Sequence, residues 1–420
     1  MKRLEKIIVV GGERLQGTVR VSGAKNAVLP ILAASILSSE RTCIIEDVPM
    51  LGDIHVMIEI LQRLGAHVSY KPRGVLEINT DNMSNCEIPA ELSSMMRASV
   101  FTIGPLAAKF GYTQICQPGG CVLGPRPIDL HLDSLRALGA EVSLEENYIK
   151  VRANNLRGNV IRFRYPSVGA TENVMMAACL ADGVTFIENA AKEPGVVDLS
   201  IFLNETGAKI EGAGTGTIRI KGVKKLVGTR HKVIPDRIEA ATYMVAATIT
   251  EGAVEIENVI PEHLKTPITT LQRANVRIKK GKKNIRVERK GGLNPLKVTT
   301  APYPGFPTDM QPFLTALLSM ADGTSSVTET IFKQRFAYVP KLKKMGADIE
   351  VRGNSAIVKG VEKLHGADVA ATDLRAGAAL ILAGLAAQGE TTIDRVHHID
   401  RGYERIEEKL RRLGARIHRT

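Results

Sequence analysis

Tryptophan is absent from this 420-residue sequence, and aromatic residues make up only 4% of it. The formal charge of +12 admits two kinds of anionic partner, nucleic acid or small polyanions. Proteins that stack bases interleave aromatic rings with basic residues, so the scarcity of rings argues against nucleic acid. The densest basic run, Lys279-Lys280-Gly281-Lys282-Lys283, alternates with apolar residues further on and reads as an exposed hairpin. Long apolar runs are also missing. The longest, Ala378 to Ala387, is about half of the roughly 20 residues a membrane-spanning helix needs. Ile7 to Val10, after Lys2, Arg3 and Lys6, is too short for the apolar part of a signal peptide, so a cytoplasmic protein is expected.

Five cysteines, an odd and sparse set, exclude a disulfide framework. Cys116 and Cys121 have no second Cys or His pair to complete a zinc site, and no HExxH motif occurs. Gly212-Ala213-Gly214-Thr215-Gly216 lies between two strand-like runs and reads as a hairpin turn; neither the Rossmann nor the Walker pattern is satisfied. Chemistry with no metal and no cofactor is expected.

What the chain does contain is a repeat. A small-residue turn closing an amphipathic helix recurs at Gly65, Gly139, Gly207, Asn275, Gly346 and Gly414, at intervals of 68 to 74 residues. The preceding helix is legible in Ile54, Met57, Ile60, Leu61 and Leu64, which share one helical face, and glycine or asparagine suits the left-handed residue that ends it. A second anchor, where another helix ends and a strand begins, falls at Glu40, Gly111, Gly183, Gly252, Gly323 and Gly389. Six units of about 70 residues result, each α/β, with the helices covered by sheets. Three units per domain give two domains of ordinary size. The expected boundaries are 1–24 with 236–420 for a discontinuous domain and 25–235 for an inserted one.

Fourteen positions before the second anchor stand Asn26, Arg97, Gly169, Ile238, Asp309 and Arg375. Equivalent units would place all six at helix N-termini, where unpaired N–H groups and the helix dipole favour anions. Asp236, Thr308-Asp309 and Thr372-Asp373 also suit helix N-caps, but Arg97 and Arg375 do not. Counting forward from the same anchors reaches Cys121, Arg335 and Arg401. The pattern reads as a site for a small polyanion between two domains.

The segment from Gln117 to Pro127 reads as a mobile loop, and Cys121 in it is flanked by Gly120 with Arg126 nearby. Such an electropositive, partly exposed setting favours a reactive thiol. At this point a family resemblance becomes specific. The sequence resembles the UDP-N-acetylglucosamine 1-carboxyvinyltransferases, the enolpyruvyl transferases of peptidoglycan synthesis, over essentially its full length. The carrying motifs are Ser22-Gly23-Ala24-Lys25-Asn26-Ala27, Gly120-Cys121 to Arg126-Pro127 with Asp129-Leu130-His131, Ser167-Val168-Gly169-Ala170-Thr171-Glu172, Pro235-Asp236-Arg237-Ile238-Glu239, Phe306-Pro307-Thr308-Asp309-Met310-Gln311, Ala371-Thr372-Asp373-Leu374-Arg375 and His398-Ile399-Asp400-Arg401-Gly402-Tyr403-Glu404-Arg405.

The resemblance implies two inside-out α/β domains of three repeats, with the active site in the cleft between them. It implies transfer of the enolpyruvyl unit of phosphoenolpyruvate to the 3-hydroxyl of UDP-N-acetylglucosamine. Cys121 would protonate the methylene carbon, Asp309 would take the hydroxyl proton, and Lys25, Arg126 and Arg401 would hold the phosphate and carboxylate. The substrate site would further include Asn26, Arg97, Pro127, Ile128, Asp129, Leu130, Ser167, Val168, Gly169, Asp236, Ile331, Arg335 and Arg375. The related transfer to shikimate 3-phosphate is an alternative, though that family lacks a cysteine in such a loop. The expected partners are the two small substrates, with no nucleic acid or membrane, in a monomer or weak homo-oligomer.

Overall fold

The computed structural model describes residues 5–117 and 128–420. Six four-stranded sheets in this range share one topology. In the sheet built from Lys297–Thr299, Thr324–Thr328, Ser355–Lys359 and Asp348–Arg352, the first strand runs parallel to the second. The second is antiparallel to the third, and the third to the fourth. Three sheets are completed by strands far away in sequence. Ile7–Val10 lies between Glu390–Asp394 and Arg416–Arg419, Gln16–Arg20 joins Ala253–Glu257, and Arg230–Lys232 joins Cys43–Glu46. Strand residues alternate between buried and at least partly exposed, as in sheets with one face on a core.

Each repeat has an inner and an outer helix. The inner ones are Lys25–Ala34, Ile103–Phe110, Val168–Ala178, Arg237–Ile249, Gln311–Leu318 and Leu374–Ala386. Most of their residues are buried whichever side they lie on, as in a helix with protein all round it. The run beginning at Ala378 is therefore the centre of a buried helix. Leu380, Ile381 and Leu382 are fully buried there, and truncating any of them to Ala should cost about 2–5 kcal/mol. Among the described residues no helix is long and apolar enough to cross a membrane.

The outer helices, such as Gly52–Arg63, bury one stripe only; here it is Ile54, Met57, Ile60 and Leu61. All six turn anchors adopt the left-handed conformation, with φ from +71° at Asn275 to +107° at Gly207. Asparagine at 275 is thus the tolerated substitute for glycine. The second anchor shifts once, since the left-handed residue of the fourth repeat is Glu251 rather than Gly252. Both basic and glycine-rich turns close hairpins, between Arg277–Lys280 and Asn284–Glu288 and between Lys209–Glu211 and Thr217–Lys221.

Two compact units result. One is formed by the chain before Gly23 together with Pro235–Thr420, the other by the described residues from Gly23 to Ile234. Each has its own core around three inner helices. In the first unit, Arg237–Ile249, Gln311–Leu318 and Leu374–Ala386 pack on one another.

Candidate active site

The six positions singled out by the repeat all fall in the first turn leading into an inner helix. Asn26, Gly169, Ile238 and Arg375 are each the second residue of one. Arg97 and Asp309 lie in 3-10 turns, Arg97–Thr102 and Thr308–Met310, that run directly into Ile103–Phe110 and Gln311–Leu318. Of the candidate caps, Asp236 and Asp373 do cap. Oδ1 of Asp236 accepts from the Ile238 and Glu239 N–H groups, and Oδ1 of Asp373 accepts from those of Arg375 and Ala376. The carboxylate of Asp309 is turned to other partners.

Those partners are two buried guanidiniums. Arg335 Nη2 donates to Asp309 Oδ1 at 2.8 Å, and Arg375 donates to Oδ2 through Nη2 at 2.8 Å and Nε at 3.1 Å. Arg335 also donates through Nε and Nη2 to the Thr308 carbonyl. Arg335 is 2% and Arg375 4% exposed, whereas the Asp309 side chain keeps 27% of its surface open. Two cations at such depth require a counter-charge, and Asp309 supplies it. Burial alone would lower the pKa of Arg375, but Asp309 and other neighbouring groups outweigh it. Arg375 Nη1 further donates to the Tyr403 hydroxyl, which lies 2.7 Å from Thr242 Oγ1. Burial pushes the Tyr403 hydroxyl up to about 12, so it stays protonated.

Ile331 sits in a turn tied by buried Glu329, which accepts from the Ile331 and Phe332 N–H groups and from Thr300 and Thr308 Oγ1. The Ile331 side chain itself is exposed. Arg401, half-buried, ends the short helix His397–Asp400.

In the other unit Lys25 opens its inner helix, and its buried Nζ lies 3.1 Å from Asp53 Oδ2. Asn26 beside it is exposed. Ser167 caps the helix Val168–Ala178 by accepting from the Ala170 N–H, and its carbonyl accepts from Thr171 Oγ1. Ile128 precedes the helix Asp129–Ala137, where Asp129 is paired with Arg164 and Leu130 is buried. His131 reaches from that helix to Gly169.

Asp236, Asp309, Ile331, Arg335, Arg375 and Arg401 therefore belong to one unit. Lys25, Asn26, Arg97, Ile128, Asp129, Leu130, Ser167, Val168 and Gly169 belong to the other. Cys121, Arg126 and Pro127 lie outside the described residues. The remaining cysteines are free thiols, and Cys179, buried, is pushed up to about 12 by desolvation. It is an inert core residue. Among the described residues no cluster of three or more His, Cys, Asp or Glu could hold a metal. Sequence reasoning did not single out Asp53, which reads locally as an ordinary first-turn acid, or Thr242, which lies in an apolar helix and carries no signal at all.

A family model described as EPSP synthase (3-phosphoshikimate 1-carboxyvinyltransferase) matches residues 9–410. The chain belongs to this enolpyruvyl transferase family. It is 53% identical to UDP-N-acetylglucosamine 1-carboxyvinyltransferase 1 of Caldanaerobacter subterraneus, covering 99% of both chains. It is 51% identical to UDP-N-acetylglucosamine 1-carboxyvinyltransferase 2 of Carboxydothermus hydrogenoformans, covering 99% of this chain and 100% of the relative. Among solved structures, the enolpyruvyl transferase NikO from Streptomyces tendae superposes with a TM-score of 0.91 at 28% identity, covering 99% of each. EPSP synthase from Acinetobacter baumannii does so at 0.76 and 19% identity, covering 99% of this chain and all of that one, which shows the shared fold.

Proposed function

We propose that this protein transfers the enolpyruvyl group of phosphoenolpyruvate to the 3-hydroxyl of UDP-N-acetylglucosamine and releases phosphate, the first committed step of peptidoglycan synthesis. The observation that carries the choice of acceptor is the identity of 49–53% to relatives named for that substrate, over essentially the full length of each. The fold alone is shared with the shikimate enzyme and does not choose.

The chemistry needs an acid and a base. Cys121 delivers its proton to the methylene carbon of phosphoenolpyruvate, which makes the neighbouring carbon electrophilic. The sugar oxygen adds there as its proton passes to Asp309. Loss of phosphate, with return of a proton from the methyl group, restores the double bond in the product. Lys25, Arg126 and Arg401 hold the phosphate and carboxylate, since cationic groups match both and stabilise developing charge. Asp53 holds the Lys25 ammonium in place. The two guanidiniums that donate to Asp309 fix its orientation. The nucleotide sugar occupies Asn26, Arg97, Ser167 to Gly169 and Ile331. A cytoplasmic location follows, because both substrates are soluble metabolites of that compartment.

The test is release of inorganic phosphate from phosphoenolpyruvate, with and without UDP-N-acetylglucosamine, in the presence of a chelator. Release that needs the sugar nucleotide supports the assignment. Release that needs shikimate 3-phosphate instead would overturn it.

A further inference from the structure

The direction of the hydrogen bond between Tyr403 and Thr242 is fixed by a third group. Thr242 belongs to the helix Arg237–Ile249, and its Oγ1 donates to the Ile238 carbonyl at 2.9 Å. A hydroxyl has one proton and a carbonyl can only accept, so Thr242 Oγ1 meets the Tyr403 hydroxyl, 2.7 Å away, as an acceptor. Tyr403 therefore donates to Thr242 and keeps its lone pairs for Arg375 Nη1, which donates to it at 3.4 Å. Thr242 is fully buried and Tyr403 is 2% exposed. With its proton placed in this way, the Tyr403 oxygen is a fixed acceptor.

That acceptor holds the guanidinium that grips Asp309. Arg375 turns Nε and Nη2 toward Asp309 Oδ2, at 3.1 and 2.8 Å, and Nη1 is the remaining corner of the same plane. A rigid plane held at all three corners cannot pivot on the carboxylate. The guanidinium carbon also lies 5.8 Å from the centroid of the Tyr403 ring, a cation–π contact. Tyr403 is itself firmly seated. A Cβ built on Gly402 would come within 2.6 Å of Leu374 Cδ2, so the chain entering Tyr403 rests against the first residue of the helix that carries Arg375. The chain of hydrogen bonds from the Ile238 carbonyl through Thr242, Tyr403 and Arg375 to Asp309 thus links the starts of all three inner helices of this unit.

We propose that Tyr403 is a positioning residue for the enolpyruvyl transfer, holding Arg375 by its third corner so that the guanidinium aims Asp309, with Thr242 as the anchor of the relay. The inference rests on the reading of Asp309 as the base. Tyr403 and Thr242 act through Arg375 and not on the reacting atoms. Burial keeps the Tyr403 hydroxyl protonated, so the relay does not reverse with pH in the physiological range.

Steady-state kinetics of four variants test the relay. Tyr403→Phe removes the hydroxyl and keeps the ring. It should lower kcat about tenfold, the low end for a hydrogen bond to a charged group because this one is long, with the KM for phosphoenolpyruvate and for UDP-N-acetylglucosamine within about twofold. Thr242→Val leaves the Tyr403 proton without its acceptor and should lower kcat about threefold or more, whereas Thr242→Ser should recover most of that loss. The double variant Tyr403→Phe with Thr242→Val should be no slower than Tyr403→Phe alone, since Thr242 acts only through the Tyr403 hydroxyl. Losses that multiply in the double variant would overturn the relay, as would serine at 242 performing no better than valine. A raised KM with unchanged kcat in Tyr403→Phe would make the hydroxyl part of substrate binding and overturn the positioning role. Unchanged kcat and KM in Tyr403→Phe, beside an impaired Asp309→Asn, would overturn the inference alone. Full turnover of Asp309→Asn would instead strike the base assignment on which it rests.

Discussion

Asp309→Asn separates two jobs that the geometry gives to one carboxylate, proton acceptor and counter-ion. Three hydrogen bonds from Arg335 and Arg375 end on it, at 2.8, 2.8 and 3.1 Å. Each hydrogen bond to a charged group contributes about 1.5–3 kcal/mol net. Asparagine keeps one acceptor oxygen, and the side chain is 27% exposed, so solvent screens part of the loss. Losing one to two such bonds, together with the carboxylate charge that pairs with two buried cations, comes to about 3 kcal/mol. For a unit of roughly 200 residues each kcal/mol shifts the midpoint by about 2–4 °C, so that unit should melt about 6–12 °C lower. Loss of a general base should at the same time reduce kcat about 100-fold or more. Scanning calorimetry and the phosphate-release assay read the two effects separately. A variant that melts at or above the wild-type temperature would refute the counter-ion role. Turnover within about threefold of wild type would refute the base.

Substitutions at three further residues probe the other elements. Cys121→Ala should abolish turnover while UDP-N-acetylglucosamine still binds by calorimetry, and Cys121→Asp should retain part of the activity but form no thiol adduct; full turnover of the alanine variant would remove the acid role. Asp53→Asn should raise the KM for phosphoenolpyruvate about tenfold by freeing the buried Lys25 ammonium from its partner, and an unchanged KM in steady-state kinetics would show that Lys25 needs no such support. His231 bridges Asp198 at 3.1 Å and Glu205 at 2.8 Å. Burial alone would lower its pKa, but the hydrogen bonds and charges of these two carboxylates raise it above its ordinary value. A raised folded-state pKa stabilises fully below the unfolded pKa near 6.5, and that gain is lost as pH rises through the folded value. Urea unfolding should therefore show the gap between wild type and His231→Gln narrowing from pH 6 to pH 9; a gap that widens would reverse the assignment.

What could be read from the sequence and what could not divide along the range of the interactions involved. The repeat was legible because its markers are local. A residue at φ near +100° after a helix must be glycine or nearly so, whatever surrounds it, and six such residues at one period leave a mark that packing cannot erase. The same period carried Asn26, Arg97, Gly169, Ile238, Asp309 and Arg375 to helix starts without any knowledge of tertiary contacts. What these side chains do was not legible. Lysine and arginine are ordinarily exposed, so Arg335 and Arg375 read as open anion-binding groups. Their burial comes from Asp309, which is 26 and 66 positions away. Lys25 depends in the same way on Asp53, and the direction in which the Tyr403 hydroxyl donates depends on Thr242, 161 positions earlier. In each case an ionisable or hydroxyl group takes its state from a partner on another element, where neither periodicity nor propensity gives a signal. The strongest single reason to expect Asp309 to be more than a base is of this kind. Removing it takes from two buried guanidiniums the carboxylate they both donate to, and the melting temperature of one variant decides whether that reasoning holds.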